Sequence, residues 1–121
     1  MNKHVLGSLL VLSLTLAQAG EVEVIEARTT RNADGSWRFQ VTLKHADEGW
    51  KHYADRWEIL DENGKILATR VLAHPHVNEQ PFTRGLSSVK IPAGTRSLTI
   101  RGHDKVHEYG GKEFKLAWPP K

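Results

Sequence analysis

The chain has 121 residues, of which 39% are hydrophobic and 26% charged, with a formal net charge of +3 and no cysteine. Those values describe a single globular domain. The absence of cysteine excludes a disulfide framework, a thiolate-ligated zinc or iron–sulfur site, and thiol catalysis.

The N-terminus changes this arithmetic. Met1-Asn2-Lys3-His4 is short and basic, Val5 to Leu16 is almost wholly apolar, and Ala17-Gln18-Ala19 has the small-x-small form of a signal-peptidase site. Residues 1–19 are expected to be a signal peptide, cleaved before Gly20. The apolar run is short for about 30 Å of hydrocarbon, so a membrane span is not expected. No cysteine stands at the junction to carry a lipid anchor. Residues 20–121 remain as one domain. Loss of Lys3 lowers the formal charge to +2, and loss of Met1 removes the only methionine. So small and scattered a charge, on an exported chain, does not point to nucleic acid. A periplasmic or secreted location is expected.

Strand signals dominate residues 20–121. Glu21 to Arg28 alternates, and Asn32-Ala33-Asp34-Gly35-Ser36 is a turn cluster. Trp37, Phe39, Val41 and Leu43 alternate with Arg38, Gln40, Thr42 and Lys44, the clearest period-2 segment in the chain. His45 to Asp55 reads as a loop. Arg56 to Leu60 and Lys65 to Leu72 flank Asn63-Gly64, a hairpin signal. His74 to Arg84 reads as irregular, because Pro75 and Pro81 interrupt pairing. Leu86 to Ile91, Ser97 to Gly102 and Lys112 to Trp118 complete the set. Seven short strands predict an all-β domain, a seven-stranded antiparallel sandwich of immunoglobulin or fibronectin type, with a small barrel as the alternative. Trp57, Trp37 and Phe39 are expected in its core.

Alternating the strand directions gathers the six remaining histidines, His45, His52, His74, His76, His103 and His107, at one end of the sandwich. Loops at one end of a rigid scaffold are the usual place for binding residues. His74-Pro75-His76 is an i,i+2 pair whose imidazoles point the same way in an extended segment. His103 and His107 lie four apart across a loop. With no thiolate or thioether available, these donors suit Cu(II), Zn, Ni or Fe(II), copper or zinc foremost. The expected ligands are His74, His76, His103 and His107. His52 is a reserve ligand and His45 a supporting residue. Glu79 and Asp104 are carboxylates that either join the metal or orient an imidazole, unless Glu79 is solvated and Asp104 caps a turn.

The strings Gly49-Trp50-x-x-Tyr53-Ala54-Asp55-x-Trp57, His74-Pro75-His76-Val77-Asn78-Glu79-Gln80-Pro81-Phe82-Thr83-Arg84 and His103-Asp104-x-Val106-His107-x-Tyr109-Gly110-Gly111 resemble a family of small exported bacterial proteins, largely uncharacterised in activity. That resemblance implies a periplasmic, β-rich protein. A weaker one is to superoxide reductases, whose iron site uses several histidines and a cysteine at one end of an immunoglobulin-like sandwich; the cysteine has no counterpart here.

The sequence supports two main readings of function. The first is a periplasmic metal-binding protein serving storage, delivery or sensing, with redox or hydrolytic chemistry if a coordination position stays open. The second is a non-catalytic module that binds another periplasmic protein or a glycan through Trp50, Tyr53, Tyr109 and Arg84. A histidine-based response near pH 6 is a third possibility.

Overall fold

The computed structural model describes residues 20–121; the expected signal peptide, residues 1–19, lies outside them. Seven strands run in the order β1 (Glu23–Arg31), β2 (Trp37–Lys44), β3 (Ala54–Leu60), β4 (Ile66–Val71), β5 (Phe82–Val89), β6 (Ser97–Asp104) and β7 (Phe114–Ala117). They form two antiparallel sheets, ordered β1-β2-β5 and β4-β3-β6-β7. None of the described residues is helical.

The alternation in β2 explains its place. Phe39, Val41 and Leu43 point inward and are fully buried, while Arg38, Gln40 and Lys44 face solvent. The same rule places Leu98 and Ile100 of β6 inward. Trp57 and Ile59 of β3 lie in the same core, joined by Val22, Val24, Phe82 and Val89. Trp57 and Phe39 have no exposed surface, as expected of core residues, and Trp37 is half-buried against Trp118 at 4.6 Å. Burying one such aromatic side chain stabilises the fold by about 3 kcal/mol.

The sheet-forming segments agree with the sequence reading, with one displacement. β5 begins at Phe82, directly after Pro81, rather than at Leu86. The first four residues, Phe82 to Gly85, pair in regular register with Leu43 to Gln40, and the flanking Pro75 and Pro81 hid them; the irregularity lies further along the strand. Trp37 opposes Val89 and Phe39 opposes Leu86, so β5 carries one extra residue there, with Ser88 at φ +59°. A bulge shifts the inward parity of a strand and erases its period-2 signature.

Three glycines clamp the chain ahead of β1. A Cβ at Gly102 would overlap Val22 Cγ1, and one at Gly111 would overlap the Val22 carbonyl oxygen. One at Gly110 would meet the Glu21 carboxylate. The segment 20–22 therefore lies in a slot between the end of β6 and the loop before β7. The backbone N–H of Val24 closes it by donating to the Lys112 carbonyl at 2.8 Å.

Candidate metal centre

The inward row of β2 does not stop at the strand end. Phe39, Val41 and Leu43 are followed two and four residues on by His45 and Asp47, both buried. The inward row of β6 likewise runs Leu98, Ile100, Gly102 and Asp104, and Asp104 has no exposed surface. Two facing strands thus deliver an imidazole and a carboxylate to the same end of the core. His45 Nε2 lies 3.1 Å from Asp104 Oδ2.

His52, from the β2–β3 loop, completes the group. Its Nε2 is buried, lies 3.6 Å from Asp104 Oδ2, and has no hydrogen-bond partner among the described residues. His45, His52 and Asp104 each offer one ligand atom, and these atoms lie within 4.8 Å of one another. His107 stands at the rim, about one-third exposed, with Nδ1 3.2 Å from the same Asp104 oxygen. The rings of His45 and His52 are 4.8 Å apart, and those of His52 and His107 5.0 Å. The Gly20 carbonyl oxygen is 3.1 Å from His45 Nε2.

Each imidazole is held from behind. His45 Nδ1 is 2.5 Å from Asp47 Oδ1. Asp47 is itself fixed by the N–H of Ala54 at 3.1 Å and that of His76 at 2.7 Å. Both ring nitrogens of His45 thus face oxygens, Nδ1 that of Asp47 and Nε2 those of Asp104 and Gly20. His52 Nδ1 is 2.7 Å from Glu48 Oε1. Burial disfavours the charged form of His52, but Glu48 and Asp104 outweigh it and raise its pKa above the ordinary histidine value. Burial likewise opposes ionisation of Asp104, and the N–H groups of His107 and Val106 overcome it, so its carboxyl is held below the usual range. Asp104 therefore both caps its turn and faces the histidines.

The expected ligand set is divided by the structure. His107 borders the cluster, but His74, His76 and His103 are engaged elsewhere. His103 points outward from β6, pairs with Asp55 at 2.6 Å and lies 4.8 Å from the Tyr109 ring. His76 is buried with its ring stacked 4.1 Å from that of Phe82; neither ring nitrogen has a hydrogen-bond partner among the described residues, and Nδ1 lies 4.0 Å from Asp47 Oδ2. Burial, then the positive charges of Arg84 and His74, lower its pKa. His74 is exposed beside it, with ring centroids 4.7 Å apart. The ligand atoms that converge belong instead to the reserve and supporting residues, His52, His45 and Asp104. Glu79 is exposed and pairs with Arg84 at 3.0 Å, away from the cluster.

Sequence reasoning missed Asp47, whose signal was its place four residues beyond Leu43 in the inward row. It also missed Glu58, a buried carboxylate that accepts from Arg56 Nε at 2.9 Å, Arg101 Nε at 2.8 Å and Tyr109 Oη at 2.9 Å. Of the residues expected to form a macromolecular contact surface, Tyr53 is buried, Tyr109 is tied to Glu58 and Arg84 to Glu79. Trp50 remains exposed, with its ring 5.7 Å from that of Tyr53.

No protein-family model and no solved structure matches this chain. Over 100 residues it is 40% identical to a protein of Halomicrobium mukohataei described as "Putative lipoprotein". The match covers 82% of this chain and 47% of that protein, so the chain spans about half the length of the curated relative it matches. No helix among the described residues is long and apolar enough to cross a membrane.

Proposed function

We propose that this chain is an exported protein that holds a divalent transition metal, copper(II) or zinc, through His45, His52 and Asp104, with His107 closing the exposed side. The carrying observation is the convergence of His45 Nε2, His52 Nε2 and Asp104 Oδ2 on one buried point, with His52 Nε2 left unpartnered. Ligands about 2.1 Å from a tetrahedral metal stand about 3.4 Å from one another. The separations of 3.1 and 3.6 Å from Asp104 Oδ2 bracket that value, while the three ligand atoms span up to 4.8 Å, so the two imidazoles would draw together on a bound ion. Two imidazoles and a carboxylate suit a borderline divalent ion, and Asp47 and Glu48 are the acceptors that commonly fix a metal-bound imidazole. When bound, such an ion would supply Lewis acidity. The chain's own part is to orient two ring nitrogens and to bury His45 and Asp104.

Export rests on the leader-like residues 1–19 and agrees with the relative's description as a lipoprotein. The strand orders β1-β2-β5 and β4-β3-β6-β7 support a fibronectin-like sandwich as the scaffold. The test is to export the protein from its own leader without a histidine tag, measure bound metal, and titrate the metal-free form with Zn(II), Cu(II) and Ni(II). One equivalent bound more tightly than about micromolar is expected. Binding no tighter than about millimolar, or binding unaffected by H45A and H52A, would refute the reading.

A further inference from the structure

Gly20 is placed where an N-terminus would be chemically useful. Its carbonyl oxygen lies 3.1 Å from His45 Nε2. Its Cα faces the His107 ring so closely that a Cβ there would stand 2.7 Å from Cε1. The residue thus sits against two imidazoles of the cluster, those of His45 and His107. The slot formed by Gly102, Gly110 and Gly111 around Glu21 and Val22 holds it there. The bond before Gly20 is also the one that the Ala17-Gln18-Ala19 pattern marks for cleavage.

We propose that the mature N-terminus is itself part of the metal site: the α-amine and carbonyl oxygen of Gly20 chelate the ion held by His45, His52 and Asp104. This rests on the metal-binding reading of the cluster. Hydrolysis of the Ala19–Gly20 amide adds one water across the bond. The leader keeps the Ala19 carboxylate and Gly20 gains an amine. Before cleavage that nitrogen is an amide, whose lone pair is delocalised into its carbonyl and is a poor ligand. After cleavage it is an amine with an ordinary pKa of about 7.7–8.0, whose proton a metal displaces near neutral pH. Nitrogen and oxygen of one glycine close a five-membered ring on a metal. A side chain at this position would collide with His107, which accounts for glycine here. The arrangement couples loading to processing: the full-length precursor lacks the amine, and only the cleaved chain offers the complete donor set.

Two forms of the protein distinguish the possibilities. One is the mature chain beginning at Gly20, its N-terminus verified by mass spectrometry after export. The other is the same chain retaining Ala19, which moves the amine one residue away and restores the amide. Zn(II) and Cu(II) are titrated into each, and the Gly20 amine is probed with an amine-reactive label with and without Zn(II). The mature form is expected to bind at least about 10-fold more tightly, and Zn(II) to protect its amine from labelling. Equal affinities with an unprotected amine would overturn the inference while leaving the histidine–carboxylate site standing. Cleavage elsewhere than before Gly20 would also overturn it. Failure of both forms to bind metal would refute the metal reading and this one together.

Discussion

His45 Nε2 and Asp104 Oδ2 lie 3.1 Å apart, both side chains without solvent exposure, although 59 residues separate them in sequence. Each is the continuation of an inward-facing strand row, so the contact is a product of the two sheets facing one another. If it forms one edge of a metal site, D104N should weaken Zn(II) binding by more than about 100-fold. H45A and H52A should do the same, and H107A should cost about 10-fold. Calorimetric titration of each variant checks this. D104A should in addition lower unfolding stability by about 2 kcal/mol, because the N–H groups of Val106 and His107 lose their acceptor.

Asp47 is not among the proposed ligands but fixes His45. D47N should preserve the fold more nearly than D47A and weaken metal binding by about 10- to 100-fold, the range for removing an acceptor behind a ligand. D47A leaves the N–H groups of Ala54 and His76 without their acceptor. A loss of about 3 kcal/mol in denaturant unfolding is expected.

His76 provides the contrast. Its ring stacks on Phe82 with both nitrogens unpartnered, so Phe at this position keeps the stack and removes two buried polar atoms. H76F should leave metal affinity within about 2-fold of wild type and stabilise the protein by about 1 kcal/mol at pH 7. The lowered pKa of His76 means that the fold favours its neutral form. That contribution is complete above about 6.5 and is lost as pH falls through the folded-state value. The advantage of H76F should therefore grow between pH 7 and pH 5 in parallel unfolding curves. A 100-fold loss of metal affinity in H76F would return this residue to the ligand set.

Glu58 predicts a second acid transition. Burial opposes its ionisation, but Arg56, Arg101 and Tyr109 more than compensate and lower its pKa. A carboxylate with a lowered folded-state pKa contributes stability above its unfolded value and loses it as pH falls through the folded one. E58Q should cost about 3 kcal/mol at pH 7. Its stability should then fall less steeply than wild type below pH 4.

The glycine slot predicts a graded series. G111A should destabilise by about 3 kcal/mol or prevent folding, because its Cβ would overlap the Val22 backbone. G64A, with φ +81° and open space around it, should cost only about 1 kcal/mol. Thermal unfolding of the two variants compares them directly.

Much of this architecture was legible in the residues. Alternation in Trp37–Lys44 and Ser97–Gly102, with turn signals between strands, identifies an all-β chain, because a pleated strand with one buried face imposes that period. The gathering of histidines at one end followed from alternating the strand directions. The same alternation, carried past Leu43 and Gly102, would have placed His45, Asp47 and Asp104 inward and His103 outward. Reading the strands as ending at those points hid it. The start of β5 was not legible, because Pro81 directly precedes it and a proline cannot donate to a strand ladder, so the run up to Arg84 reads as irregular.

The sequence by itself determined the donor chemistry: without cysteine, any metal ligand here is imidazole, carboxylate or backbone, and six imidazoles follow Gly20. It also determined the strand-rich fold class, since periodicity and turn chemistry are local properties. The tertiary structure alone decided which donors meet. His74 and His76 are neighbours in sequence yet outside the converging donors, because His76 stacks on Phe82 and meets Asp47 behind His45, and His74 faces solvent. His45 and His52 come from the connection between β2 and β3, Asp104 from the end of β6 and Gly20 from ahead of β1. They meet because the opposed inward faces of two sheets, and a glycine-lined slot for the first residues, bring their polar atoms to one buried place.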